Sequence, residues 1–274
     1  MKLNESLVID MKKAIIYTLV FLALQFVVQI ILSVAYVAIW QDTSGTLPVW
    51  ADIVIMVVYS VATIVLFLSL GWTRVSRTYV RSKPWGVLPW SVVAALGIIV
   101  PSLLLQSLLP EWTGWAKEMA DQTDLLFSQL MRNPGGYLVV ALLPPVVEEL
   151  VFRGAVLRSL LEWKPQRPWL MIVVSALIFA LVHVNPAQLL HTFLVGLLLG
   201  WLYWRTGSVV PGVALHWTNN TAAYVLFHLY HNPQSLQDIV GPGTQPVLLA
   251  LGFSLCILLP ALYQLNLLMG KRHS

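Results

Sequence analysis

Leu143-Pro144-Pro145-Val146-Val147-Glu148-Glu149-Leu150-Val151-Phe152-Arg153 sets two carboxylates and a guanidinium inside an apolar run, about 136–157, that is long enough to cross a bilayer. A charged side chain at the bilayer centre costs about 2.5–3.5 kcal/mol even on the mildest scales, so such residues normally turn inward, pair, or line a wet cavity. Glu149 and Arg153 are spaced i, i+4 and can pair on one helix face, while Glu148 points about 100° away from Glu149. One carboxylate is left over for chemistry, and the run reads as a site built into a membrane helix.

The remainder of the chain agrees with that setting. Of 274 residues, 58% are hydrophobic and only 10% are charged, against about 25% charged in a soluble domain, and the mean hydropathy is +0.78. Apolar runs of spanning length fall at about 14–40, 48–70, 86–109, 136–157, 168–184, 187–204, 209–230 and 246–269. They predict an all-α, polytopic membrane protein with about eight transmembrane helices enclosing an intramembrane polar cavity, folded as a single membrane-embedded domain over 1–274. The first run is too long for a signal-peptide core and reads as a retained spanning helix.

Charge orients the chain. Lys2, Lys12, Lys13, Arg74, Arg77, Arg81, Lys83, Arg158, Lys164, Arg167, Arg205, Lys271 and Arg272 fall on one side of an eight-helix zigzag, and only Lys117 and Arg132 on the other. By the positive-inside rule both termini are cytoplasmic and the chain is a multi-pass protein of the plasma membrane. The same distribution accounts for the net charge of +4 without a nucleic-acid partner; the lipid bilayer is the partner it implies. Residues 110–134 carry apolar positions at helical spacing beside charges and predict an amphipathic helix along the outer surface. Residues 231–245, with Gly241-Pro242-Gly243, predict an outer loop. The single cysteine, Cys256, rules out an internal disulfide and reads as a buried core thiol.

Two further pairs share the i, i+4 spacing: Phe179 with His183 in the fifth run, and His216 with Asn220 in the seventh. Helices four and five form a hairpin turning at Trp163–Arg167, and the midpoint of positions 148 and 183 falls inside that turn. Antiparallel neighbours therefore hold Glu148 and His183 at one level. His216 is harder to align and requires tilt, a break or an unwound turn, which a helix restarted at Pro144-Pro145 would provide. Each pair alone is equally a packing contact, and His191, His228 and His231 are assigned to packing or to the interface. Together, a spare carboxylate, two imidazoles and an amide are the parts needed to activate water and hold an oxyanion. No H-E-x-x-H or G-x-S-x-G motif occurs, and Ser175 lies eight residues from His183, too far along one helix to use it directly as a base.

At these residues the sequence resembles the CAAX-protease and bacteriocin-processing (CPBP, or Abi) family of intramembrane endopeptidases, whose pattern is E-E-x-x-x-R, F-x-x-x-H and H-x-x-x-N in three successive regions. Here it reads Glu148-Glu149-x-x-x-Arg153, Phe179-x-x-x-His183 and His216-x-x-x-Asn220, and it continues through Gly196-x-x-x-Gly200 and Arg205-Thr206-Gly207-Ser208, covering about 140–222. The resemblance implies an intramembrane endopeptidase acting on a membrane-associated peptide or protein. It implies Glu148 as general base assisted by His183, His216 and Asn220 as oxyanion donors, and Glu149 and Arg153 as supports. A metal-free reaction is favoured; the alternative, since the family has also been described as metal-dependent, is zinc held by Glu148, His183 and His216. Two other functions use the same buried charges: a transporter or channel, and a non-catalytic immunity or scaffold protein.

Overall fold

The computed structural model describes residues 2–41, 46–73, 84–109, 112–231, 233 and 235–269, and every extended regular element among them is a helix. We number these α1 (Lys2–Trp40), α2 (Val49–Ser69), α3 (Val87–Ser107), α4 (Gly114–Arg132), α5 (Tyr137–Trp163), α6 (Pro168–Val182), α7 (Leu189–Thr206), α8 (Val210–Leu229), α9 (Leu236–Val240) and α10 (Thr244–Leu268). Arg74, Arg77, Arg81, Lys83, Lys271 and Arg272, which carry much of the charge asymmetry, lie outside the described residues, as does Glu111 of the amphipathic segment.

Each of the eight apolar runs coincides with a helix, but fewer than eight are long and apolar enough to span. Among the described residues four qualify, Met11–Trp40, Val49–Ser69, Val87–Ser107 and Thr244–Leu268, and a fifth if α4 and α5, bent by 120° at their junction, form one broken span. Helix α6 has 15 residues and reaches about 22 Å at 1.5 Å per residue, short of a ~30 Å hydrocarbon layer. Helices α7 and α8 dilute their apolar sequence with His191, His216, Asn219 and Asn220.

The spanning helices expose large apolar side chains outward, among them Phe26, Ile31, Val34 and Ile39 of α1 and Leu248, Phe253 and Tyr263 of α10. Patches of this extent are unusual on a soluble monomer and suit contact with lipid. Cys256 belongs to this outer surface: it is exposed, a correction to the buried core thiol. The packed stripe of α10 runs through Val247, Ser254, Leu258, Ala261 and Leu265, and Cys256 lies off it. The segment 231–245 is also not all loop, because α9 forms there behind a reciprocal Ser235–Asp238 capping box.

Two packed clusters meet at α7, which gives Tyr203 to one and Leu199 to the other. One joins Phe21 of α1 and Phe67 of α2 to Phe152 of α5 and Phe179 of α6; the other joins α3, α7, α8 and α10 through Ala94, Leu199, Leu215 and Ala261. Glycines allow the close approaches. A Cβ on Gly196 would lie 3.1 Å from the Ala176 side chain and one on Gly200 2.9 Å from Ile172, so the Gly196-x-x-x-Gly200 stripe seats α7 on α6.

The Pro144-Pro145 pair does not restart the helix. Helix α5 continues through it but widens, with π-helical geometry at Tyr137–Leu142 and again at Glu149–Leu157, separated by an α-helical turn. Such widening re-spaces side chains and leaves backbone groups in need of outside partners. Thr73 adds a bond to this stretch, its hydroxyl donating to the Leu150 carbonyl at 2.5 Å.

Candidate active site

Glu148 ends the α-helical turn of α5 and Glu149 opens the wide one, so consecutive carboxylates face different surroundings. Glu149 is fully buried and committed: its Oε1 accepts from Arg153 at 2.8 Å and lies 3.2 Å from His216 Nδ1. Arg153, itself 1% exposed, also donates to the Gly196 carbonyl at 3.3 Å and stacks its guanidinium 4.1 Å from the centre of the Phe179 ring. The expected i, i+4 pair is thus present, and it does more than brace α5, because it also ties α5 to α6, α7 and α8. Gly212 is part of this fit, since a Cβ there would lie 2.6 Å from Glu149 Oε2.

Glu148 stays reachable, at 15% side-chain exposure. Its Oε2 lies 3.6 Å from His183 Nε2 and 3.7 Å from His216 Nε2 and makes no hydrogen bond. His183 caps α6, and its Nδ1 lies 2.7 Å from the Phe179 carbonyl. A carbonyl only accepts, so Nδ1 carries the proton and Nε2 is the atom turned to Glu148. The F-x-x-x-H spacing is therefore the reach of an imidazole back to the carbonyl one turn before it. His216 meets Glu148 at the same oxygen as His183, and the depth mismatch expected for straight helices disappears in the widened α5.

Asn220, one turn beyond His216, donates to the Val140 carbonyl at 3.1 Å. In helical geometry that carbonyl would take its proton from residue 144 or 145, and both are prolines without an N–H. The two prolines and the amide thus belong together. Glu148, His183, His216 and Asn220 all line one hollow of about 510 Å³, closed on other sides by residues including Phe21, Tyr59 and Leu130.

His191, assigned above to packing, is a wall residue of this hollow and not a bystander. Its ring lies 2.7 Å from Ser102 Oγ and 3.4 Å from Asn219 Nδ2. The sequence signal was a third histidine within a run of spanning length, on the helix adjoining His183. His228 turns to the Tyr224 carbonyl at an exposed position, as the interfacial reading has it.

The residues named for zinc converge on Glu148 Oε2, yet among the described residues no group of three or more His, Cys, Asp or Glu side chains is arranged to hold a metal ion. One nitrogen of His216 is turned to Glu149 and one of His183 to a carbonyl. Both Nε2 atoms are left turned to Glu148 Oε2.

Long outward-apolar helices around a buried acid–histidine cluster define an integral membrane protein of the helical class. Within it, residues 132–222 match the family described as type II CAAX prenyl endopeptidase Rce1-like. The matched segment, about a third of the chain, runs from the end of α4 to just past Asn220 and encloses every residue of the cluster. No curated protein and no solved structure matched the chain.

Proposed function

We propose that this chain is a glutamate-dependent intramembrane endopeptidase, hydrolysing a peptide bond of a membrane-associated peptide or protein in the hollow between α5, α6 and α8. One observation carries the reading: the Glu148 side chain, 15% exposed and lining the hollow, turns an Oε2 without a hydrogen bond to the Nε2 atoms of His183 and His216 at 3.6 and 3.7 Å, while its neighbour Glu149 is held by Arg153 and His216. The Rce1-like match supports the same reaction class, and its name suggests the C-terminal region of a lipid-modified protein as the substrate type.

Glu148, assisted by His183, takes a proton from water, and the water oxygen attacks the scissile carbonyl carbon. Charge develops on the carbonyl oxygen, where the Asn220 amide donates together with His216 Nε2–H, the ring carrying protons on both nitrogens in this step and giving Nδ1–H to Glu149. Glu148 then passes the proton to the departing nitrogen as the C–N bond breaks. General acid–base catalysis contributes about 10²–10⁴-fold, and one oxyanion donor about 10²–10³-fold. Glu149 and Arg153 hold α5 and aim His216. In this reading the eight helical runs form one membrane-embedded domain in the plasma membrane, both termini cytoplasmic.

The test is cleavage by purified, reconstituted protein, with substrates sought by mass spectrometry of peptide termini in cells carrying wild type or Glu148→Gln. Wild type is expected to generate termini that Glu148→Gln does not, at equal membrane insertion. Cleavage retained by pure Glu148→Gln overturns the mechanism. Solute flux through liposomes without cleavage supports a transporter instead.

A further inference from the structure

We propose that His191 is a positioning residue that sets the orientation of the Asn220 amide through Asn219; its catalytic consequence rests on the hydrolytic reading above. Ser102 Oγ lies 2.7 Å from the Ile98 carbonyl and 2.9 Å from that of Ile99, and also 2.7 Å from His191 Nδ1. A hydroxyl has one proton. With that proton given to the α3 carbonyls, the Ser102 oxygen accepts from His191 Nδ1–H, and His191 Nε2 is left with a lone pair.

That lone pair accepts from Asn219 Nδ2 at 3.4 Å, and the second proton of the same amide goes to Asn220 Oδ1 at 3.3 Å. Asn220 Oδ1 is thereby fixed against Asn219, and its Nδ2 is directed to the Val140 carbonyl at 3.1 Å, with one N–H left for the hollow. The opposite amide orientation would set two NH₂ groups together and two oxygens together. The backbone beneath the imidazole is pinned as well, because Gln106 Oε1 accepts from the Leu190 and His191 N–H groups at 3.0 and 3.4 Å. These amides open α7, where helix geometry provides no internal acceptor. Polarity thus passes from Ser102 through His191 and Asn219 to the atom that faces a substrate carbonyl.

The experiment uses full-length protein in detergent or liposomes. A correctly placed oxyanion donor is worth about 10²–10³-fold, so misorienting it is expected to lower kcat about tenfold in His191→Phe, with KM within about twofold. His191→Gln, whose side-chain oxygen can accept from Asn219, restores most of that loss. In an Asn220→Ala background, His191→Phe brings no further loss. An unchanged kcat in His191→Phe, or losses that multiply independently, overturns the proposal.

The orientation is also readable without turnover, by NMR of the Asn220 side-chain amide in asparagine-labelled protein. The chain holds one Asn-Asn dipeptide, so the pair is assignable. His191→Phe is expected to shift the Asn220 NH₂ resonances and His191→Gln to return them; resonances unmoved in His191→Phe overturn the proposal. If wild type cleaves nothing, the hydrolytic reading falls while the amide shift still decides the role of His191.

Discussion

Asn220 donates to the Val140 carbonyl at 3.1 Å, the one backbone acceptor in α5 whose helical donors at both i+4 and i+5 are prolines. Pro144-Pro145 therefore creates a vacancy in the backbone ladder that a side chain from α8 fills, which fixes the distance between the helix bearing Glu148 and the helix bearing His216.

Replacing Asn220 by the similarly sized Leu is expected to cost about 1–3 kcal/mol of unfolding free energy, the usual penalty for a buried acceptor left unpaired. Adding Pro144→Ala supplies an N–H at i+4 and recovers part of that loss, although Pro144→Ala alone gains no such bond. Unfolding of the single and double variants in detergent measures the effect. Independent, additive changes would mean that the carbonyl is not the link between the two sites.

The Glu149–Arg153 pair is buried at 0% and 1% side-chain exposure, where a lone charge is far more costly than a matched pair or no charge at all. Arg153→Met is expected to destabilise by about 3–5 kcal/mol by stranding Glu149. Arg153→Met combined with Glu149→Gln is expected to destabilise less than Arg153→Met alone. Arg153→Lys keeps the charge but lacks the fork that reaches both Glu149 and Gly196, so it falls between wild type and Arg153→Met. The unfolding series reads all three.

Much of this site was legible because the cost of burying charge marks it in the sequence. The i, i+4 spacing of Glu149 and Arg153 gave their pairing, and the hairpin register gave the common level of Glu148 and His183. What could not be read was backbone geometry that propensity does not encode. Pro144-Pro145 suggested a restarted helix, whereas the chain widens into π geometry and borrows Asn220 and Thr73 as outside partners. His191 was passed over because nothing in linear spacing relates it to Ser102, 89 residues earlier. Hydropathy runs do not reveal helix length, so the 15-residue α6 and the polar residues of α8 separate from the four long apolar helices only in the structure.

Removal of divalent metal is expected to leave hydrolysis intact. The metal-free reading gives His183 Nε2 and His216 Nε2 their roles toward water and the oxyanion, each ring being oriented through Nδ1 by the Phe179 carbonyl or Glu149. Purified protein treated with a chelator is expected to retain turnover, and elemental analysis to find zinc well below one atom per chain. Loss of activity restored by zinc, with close to one zinc per chain, would replace the metal-free mechanism.

Gly212 offers the sharpest test of how tightly the supporting carboxylate is held. A Cβ at this position would stand 2.6 Å from Glu149 Oε2, the end of a fully buried side chain whose other oxygen is held by Arg153 and His216. Gly212→Ala must therefore push Glu149 or α8, which strains the core by about 1–3 kcal/mol and moves His216 relative to Glu148. Turnover is expected to fall more steeply than stability, because misplacement by about 1 Å can cost 10²-fold in rate. Gly252→Ala is the control: it lies inside α10 with open space at its Cβ position, and helix propensity alone makes it neutral or stabilising by up to about 1 kcal/mol. Measuring kcat and thermal unfolding side by side separates the outcomes, and a Gly212→Ala protein with wild-type turnover would show that Glu149 does not position His216.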